Sequence, residues 1–488
     1  MKTSVFTCLF LVSLCSYAQT AKITLKFLDK NDCMVSFVGE KIEYNPSPAI
    51  GLTDIKYQNF GVFDDSTKKQ GVLELEIQQP LLVRMALIPY QANKGQASNH
   101  LLFLSPKDDL TITIQPDKTL SFSGKGAIYQ SFLRDSFKNN FYDYLPAFGY
   151  KPTQVNNSQI LPKIDSLQAA RQTRWEKLQN TQKVSPDFEA YISAMMMTEP
   201  YLLKLVVSDK NLRKGAGVHL RGNERKEIQD ITLQNFKILP DAALISDSYR
   251  SELRNFIQIP VVRRYPTDSA KRFVLSAEAL EMAYQLSEQQ LQNYPLQLQY
   301  LRTHWLDYAT TYRSDMTAAR TLLAKYETSY PSSSLLPYFK NTIANKERMK
   351  TGNFAPNFTL KDREGKWVSL ESLRGKPVCI AFCFNLKQHE FNFRPLEEKY
   401  RDRLTFVYLN VTPNTPFEVW QSTTEKRPGV VHLWASEEEA QQLKDTFLTT
   451  MRFPYVVIDA QGKLADRWIP QEFPDDKPLQ AELRGLVR

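Results

Sequence analysis

The feature that most constrains this chain is that its apolar residues change period twice. From Lys22 to about Phe122, short apolar runs alternate with turns. Ile23 to Phe27, Gly71 to Ile77, Leu81 to Ile88, Leu101 to Leu104 and Leu110 to Ile114 are such runs, punctuated by Asp117-Lys118 and Ser123-Gly124. Period two with frequent turns predicts strands that alternate between a core and solvent, hence a small antiparallel β-sandwich or barrel over residues 20–125. Near Ala127 the spacing becomes helical, as in Leu167, Ala170 and Trp175, or Ala279, Leu280, Met282 and Ala283, or Leu322, Leu323 and Tyr326. That spacing predicts an all-helical middle domain over 126–349. After the Lys350-Thr351-Gly352-Asn353 linker the two periods alternate. Strands are readable at Val378 to Phe384, Leu404 to Val411 and Tyr455 to Ile458, and helices near Gln388 to Arg401 and Glu437 to Phe447. Ser436 with Glu439 three residues on is a capping box for the second helix. The expected class is therefore multi-domain α+β, closing with an α/β domain over 354–488.

Composition narrows the functional classes. A chain of 488 residues with 42% hydrophobic content can bury real cores in about two to four domains. The 62 basic and 53 acidic residues give a net charge of +9, but they are scattered, not gathered in a stripe. Scattered charge reads as a solvated surface and argues against nucleic-acid binding. Lys2, the apolar run Val5 to Leu14, and Ser16-Tyr17-Ala18 have the order of a secretory signal peptide over 1–18, cut after Ala18. Leu14 stands where a lipoprotein needs a small residue before Cys15, so release is expected in preference to lipid anchoring. No later run reaches the about 18 to 20 apolar residues of a membrane-spanning helix. The expected location is the periplasm or cell envelope.

Five cysteines are present, and Cys8 and Cys15 fall in the leader, leaving Cys33, Cys379 and Cys383. An odd trio is no disulfide framework. Cys379 and Cys383 stand four apart in one expected strand, on one face and ~13 Å from each other, too far to bridge.

In the middle region, Tyr330-Pro331-Ser332-Ser333-Ser334 before Pro337 reads as a turn between paired helices. The pair resembles a tetratricopeptide-type hairpin, without the fixed repeat that would make an array. The aromatic cluster Phe137, Phe141, Tyr142, Tyr144, Phe148 and Tyr150 fits helix-packing core better than a binding groove. Gly215-Ala216-Gly217-Val218-His219-Leu220-Arg221-Gly222 lacks dinucleotide-binding spacing and reads as an interhelical loop.

After Phe354 several motifs follow in a fixed order: Ala355-Pro356-Asn357-Phe358-Thr359-Leu360, Gly365-Lys366-Trp367-Val368-Ser369-Leu370, Leu373-Arg374-Gly375-Lys376-Pro377, and Phe453-Pro454-Tyr455-Val456-Val457-Ile458-Asp459 before Gly462-Lys463. In this order they resemble the exported TlpA/ResA group of thioredoxin-fold thiol-disulfide oxidoreductases. Phe103 to Ile114 and Gly124-Lys125-Gly126 are similar, more weakly, to a β domain often found ahead of such domains. The resemblance implies a thioredoxin-like fold for 354–488 and a cis-proline turn at Phe453-Pro454 that offers backbone to an extended peptide.

The resemblance also implies where the redox pair should stand. Phe382 and Pro395 keep the family's spacing from central strand to helix proline, which puts Lys387, Gln388, His389 and Glu390 in place of Cys-x-x-Cys. Dithiol chemistry needs an acidified thiolate and a resolving thiol. Lys387 and Glu390 supply neither, and Glu390 is expected to sit favourably in the first turn of the helix. Cys383 and Cys379 are the thiols left to a divergent oxidoreductase, with Cys33 a third. His389 with Glu390 is too small a set for a metal site. No Gly-x-Ser-x-Gly and no Walker loop is present. The sequence therefore points to a redox-inactive, cofactor-free binding or scaffold protein with a protein or peptide partner. A thiol-dependent enzyme is the alternative.

Overall fold

The computed structural model describes residues 19–28, 33–41, 45–47, 51–53, 56–64, 70–90, 98–137, 157–208, 230, 233–265, 275–313, 315–384, 386–412, 415–449, 454–469 and 477–486. The chain divides into two compact units. One holds Met1–Tyr44, Asp54–Arg263 and Leu291–Leu298; the other holds Asn45–Thr53, Arg264–Gln290 and Gln299–Arg488. The helical stretch is thus shared between the units.

In the first unit the period-two segments become strands β1 (Gln19–Phe27), β2 (Cys33–Lys41), β3 (Lys56–Asp64), β4 (Gln70–Ile77), β5 (Leu81–Pro89), β6 (Ser98–Leu104), β7 (Asp109–Ile114) and β8 (Leu120–Lys125). They form two four-stranded sheets, ordered β8-β7-β1-β4 and β3-β2-β5-β6. Strand β4 alternates strictly between exposed and buried positions, and its Leu73, Leu75 and Ile77 join Ile23, Leu25, Val35, Phe37 and Ile112 in the core between the sheets. Cys33 is fully buried in that core. The expected purely antiparallel arrangement is corrected at one ladder: β1 runs parallel to β7. The chain reaches β7 only after passing through the other sheet, so it returns beside β1 by a crossover and not by a hairpin.

Two glycines turn β8 into helix α1 (Ala127–Ser136). Gly124 has φ +87°, and a Cβ there would lie 2.2 Å from the Asp109 carbonyl oxygen; Gly126 has φ +91° and lies against the Asp108 carboxylate. Helix α1 then protects the edge of the second sheet. Phe103 on edge strand β6 gives its N–H to Gln130 Oε1 at 3.1 Å and takes Gln130 Nε2–H on its carbonyl at 2.6 Å, so a buried side-chain amide stands in for a missing strand. Beyond α1, helices α2 (Asn157–Thr181) and α3 (Pro186–Ser208) form an antiparallel pair. Phe103, Phe132, Phe137, Trp175, Phe188 and Tyr191 share one aromatic core, so strand β6 and the helices pack as one body. Phe137 is core, as the sequence suggests; the other five aromatics of its cluster, and the Gly215 to Gly222 stretch, lie outside the described residues. A 3₁₀ turn (Asp241–Ile245) and helix α4 (Asp247–Arg264) follow.

Helices α5 (Ala277–Leu291), α6 (Pro295–Tyr312), α7 (Thr317–Ser329) and α8 (Leu336–Arg348) precede the last domain and, apart from Leu291 and the start of α6 up to Leu298, belong to the second unit. Buried Lys346 donates to the Thr311 carbonyl at 2.6 Å, closing the C-terminal end of α6. The segment read as a linker is held: Gly352 donates to the Leu464 carbonyl and Leu464 to that of Asn353, both at 2.8 Å. The last domain contains β9 (Thr359–Asp362), β10 (Trp367–Ser369), β11 (Val378–Cys383), α9 (Leu386–Tyr400), β12 (Thr405–Asn410), α10 (Phe417–Thr423), β13 (Val430–Trp434), α11 (Glu437–Phe447), β14 (Tyr455–Ile458), β15 (Leu464–Ile469) and α12 (Lys477–Leu486). The seven strands are ordered β10-β9-β13-β12-β11-β14-β15. Central β11 runs parallel to β12 and antiparallel to β14, and all six of its residues are buried, which is why its sequence is apolar throughout.

Candidate functional site

The site implied by the resemblance lies where β11 hands over to α9. Residues of β11 alternate between the two faces of the sheet. Val378, Ile380 and Phe382 enter one core; Cys379, Ala381 and Cys383 enter the other, with Phe393, Leu396 and Tyr400 of α9 and Leu479 and Leu483 of α12. Both cysteines are fully buried on one face, as the strand period requires, and none of the three described cysteines forms a disulfide. The Cys383 thiol donates to the Ala381 carbonyl at 3.4 Å. The strand end is fixed by its neighbours: Val411 donates its N–H to the Cys383 carbonyl at 3.1 Å, and Thr412 Oγ1 reaches the same oxygen at 3.2 Å.

Helix α9 begins at Leu386, so Lys387, Gln388, His389 and Glu390 are its second to fifth residues. This corrects one expectation. Because the helix starts before Lys387, Glu390 falls beyond the first turn, which contains no acidic residue, and the dipole benefit expected for it has faded there. Across the sheet, Pro454 is buried and its carbonyl accepts the Phe382 N–H at 2.9 Å, which ties the start of β14 to the central strand. Phe453, and with it the peptide bond to Pro454, lies outside the described residues.

Beneath α9 is a polar cluster that the sequence reading missed. Glu397 of α9, 3% exposed, receives a two-pronged contact from Arg427, Nε to Oε1 at 2.9 Å and Nη2 to Oε2 at 3.1 Å. Tyr408 of β12 donates its hydroxyl to Glu397 Oε2 at 2.9 Å. The His432 ring of β13 stacks on Tyr408, centroids 5.0 Å apart and planes within 16°. Burial pushes the Tyr408 hydroxyl well above the usual phenol range, and the Glu397 carboxylate adds to that push. Burial, then the charges of Arg427 and Arg363, bring His432 down to about 4, so it is a neutral ring at ordinary pH. One signal could have found this cluster. Phe393, Leu396, Glu397 and Tyr400 occupy i, i+3, i+4 and i+7, so Glu397 is a carboxylate set in an apolar stripe. The cluster binds helix to sheet, with Glu397, Tyr408 and His432 all buried. Among the described residues, no three His, Cys, Asp or Glu side chains converge as a metal site, and no helix is long and apolar enough to cross a membrane.

No family model matches the chain. Curated relatives do. The thiol-disulfide oxidoreductase ResA of Bacillus cereus is 28% identical over 143 residues, covering 28% of this chain and 71% of that protein. The chloroplastic peroxiredoxin Q of Populus jackii is 48% identical over 54 residues, 11% of this chain, and the chain spans only 23% of that relative. Among solved structures, the thioredoxin domain of a thiol-disulfide oxidoreductase from Bacteroides vulgatus is 17% identical, with 28% of this chain and 99% of that chain covered at a TM-score of 0.23. Yeast Sco1 is also 17% identical, with 28% and 96% covered at a TM-score of 0.24. Homology to ResA supports membership of the C-terminal part of this chain in the TlpA/ResA-like thioredoxin-fold family.

Proposed function

We propose that this chain is an exported thioredoxin-fold protein that has given up dithiol chemistry and acts by holding a protein or peptide partner in the cell envelope. The observation that carries the reading is the state of its thiols: Cys33, Cys379 and Cys383 are each fully buried. A reactive cysteine needs an accessible, stabilised thiolate, and a buried apolar site favours the neutral thiol instead. Lys387 to Glu390, at the start of α9, bring no sulfur to the position where the family keeps it. Pro454, kept in the sequence where the resemblance implies a turn that offers backbone to an extended peptide, supports a partner held there without reaction.

The test is disulfide reductase activity of the leader-free protein, with alkylation of each cysteine followed near neutral pH. The expected result is no turnover, with alkylation only on unfolding. Turnover abolished by Cys383→Ser or Cys379→Ser would replace this reading with that of a divergent oxidoreductase. The register is tested separately by joining Lys387→Cys to Glu390→Cys. The doubled variant is expected to form an internal disulfide under mild oxidation, and a persistent dithiol would show that the lost pair stood elsewhere. Export is checked by the mass of the mature N-terminus, expected to follow a cut after Ala18.

A further inference from the structure

The strongest unassigned feature lies in the first unit, far along the sequence from the lost redox pair. Helices α2 and α3 enclose a groove of about 660 Å³ together with Asn235, Lys237 and Leu239, within the size range of ligand sites. Its floor is apolar and adaptable, with Trp175, Met196 and Met197, and Pro200 and Tyr201 continue it along α3. Methionine side chains re-pack around varied partners at little cost.

The α2 wall is a row of amides. Gln168, Gln172 and Gln179 flank Trp175 at i, i+4, i+7 and i+11, so they share one helix face. Their N–H ends already have acceptors within the chain, at the surface for Gln172 and Gln179 and in part-buried surroundings for Gln168. Gln172 Nε2 donates to Glu176 at 2.8 Å and Gln179 Nε2 to Glu189 at 3.1 Å. Gln168 Nε2 donates at 3.0 Å to the Met196 carbonyl. Pro200, four residues on in α3, has no N–H to offer that carbonyl, so the proline creates the vacancy that orients Gln168. Gln168 Oε1 is buried without a donor among the described residues. The wall therefore asks for N–H groups.

Among the described residues that line the groove, Lys204 and Lys237 are the charged ones, while Asp165, Glu176 and Glu189 contact lining side chains from outside it. Lys204 meets Asp165 at 2.6 Å, but both are substantially exposed, and an exposed pair of that kind is readily exchanged for another anion. Gln168 to Gln179 spans ~16 Å along the helix axis. An extended peptide of about five residues has that length.

From the buried Gln168 acceptor, a methionine floor and two lysines whose charge is exposed, we infer that this groove binds an extended acidic peptide segment, its backbone N–H groups on the glutamine row and its carboxylates toward Lys204 and Lys237. The inference names a site for the binding activity proposed above, yet does not depend on the chemistry of the thioredoxin-fold domain.

The test uses the full leader-free chain and a dye-labelled hexapeptide of alternating leucine and glutamate, with its leucine-lysine counterpart as control, followed by fluorescence anisotropy. The expected result is saturable binding of the acidic peptide alone, weakened by salt and reduced roughly tenfold by Lys237→Glu. Lys237 is exposed, so this variant is expected to keep the parent's circular dichroism and melting temperature. A second variant, Met197→Glu, puts a carboxylate on the floor and is expected to abolish binding. Equal binding of both peptides, no binding of either, or parent-like affinity in Lys237→Glu would overturn the inference. A protein that binds the peptide here and also reduces disulfides would refute the redox-inactive reading and leave this site standing.

Discussion

Each unit contains a buried carboxyl or imidazole group held well away from its ordinary range, and the two are of opposite kind. In the sandwich-bearing unit it is an acid, Glu252 of α4, 3% exposed, with Asn255 donating to Oε1 at 3.1 Å and Oε2 without a donor among the described residues. Burial raises it from 4.5 to about 7, against the smaller pull of Asn255 and Arg254. In the thioredoxin-fold unit it is a base, His432, 5% exposed, lowered from 6.5 to about 4. Burial penalises the charged form in both, so it turns an acid up and a base down. The two units should therefore respond to pH in opposite senses, although their cores are built from the same apolar residue types.

The largest effects should come from the ion pair that each unit also buries. Arg171 is fully buried, contacts Glu199, donates to the Ser136 carbonyl at 2.8 Å and lies over the Phe137 ring. Arg427 and Glu397 are the counterpart in the second unit. Removing one partner strands a buried charge, at a cost of about 3 to 5 kcal/mol. Arg427→Met is expected to loosen peptides of β12, β13 and α9 in hydrogen exchange and to spare the sandwich; Arg171→Met should do the reverse. Adding Glu397→Leu to Arg427→Met should recover most of the loss. Loss of protection throughout the chain from either single variant would erase the distinction between the units.

The pH effects come next. His432 has a folded value below its unfolded one, so its contribution is complete above about 6.5 and lost as pH falls toward 4. Glu252 has a folded value above its unfolded one, so its contribution is complete below about 4.5 and lost as pH rises through 7. A shift of about two and a half pH units corresponds to about 3 kcal/mol in each case. Because the two ranges overlap between about pH 4.5 and 6.5, denaturation followed separately in each unit from pH 4 to 8 should show a rising limb in the second unit and a falling limb in the first. His432→Phe keeps a ring on Tyr408 and should flatten the rising limb alone, and Glu252→Gln the falling limb alone. If either variant left its limb unchanged, the assignment of that limb to that residue would fail.

What the sequence disclosed divides along a similar line. Elements set by local rules were legible: Tyr455 to Ile458 and Glu437 to Phe447 are observed with those bounds, and Val378 to Phe384 differs from β11 by one residue. Period, capping and turn chemistry act within a few residues, so a single sequence displays them. The Glu397, Tyr408, Arg427 and His432 cluster joins α9, β12, β13 and the segment before β13, and no local rule links those positions. Glu397 in an apolar stripe was the only local trace. The glutamine row of α2 is similarly half visible: its spacing can be read, but the Pro200-freed carbonyl that orients Gln168 lies on another helix.

The smallest effect tests the part that was read directly. Ser436 Oγ accepts the Glu439 N–H at 3.3 Å while Glu439 Oε2 accepts the Ser436 N–H at 2.8 Å, so the capping box of α11 is closed in both directions. Ser436→Ala removes one of these bonds and leaves an N–H of the first turn without its acceptor, at a cost of about 1 kcal/mol. Glu439→Gln keeps a side-chain oxygen for the returning bond but gives up a negative charge beside the helix N-terminus, so it should cost only a few tenths of that. Helix α11 packs Ala440, Leu443 and Phe447 into the sheet face opposite the cysteines. The loss should therefore appear in exchange of α11 and that face, and leave both the Arg427 cluster and the first unit unchanged. An equal loss from the two variants would mean that the helix is held by its apolar face alone and that its cap, though closed, carries no stability.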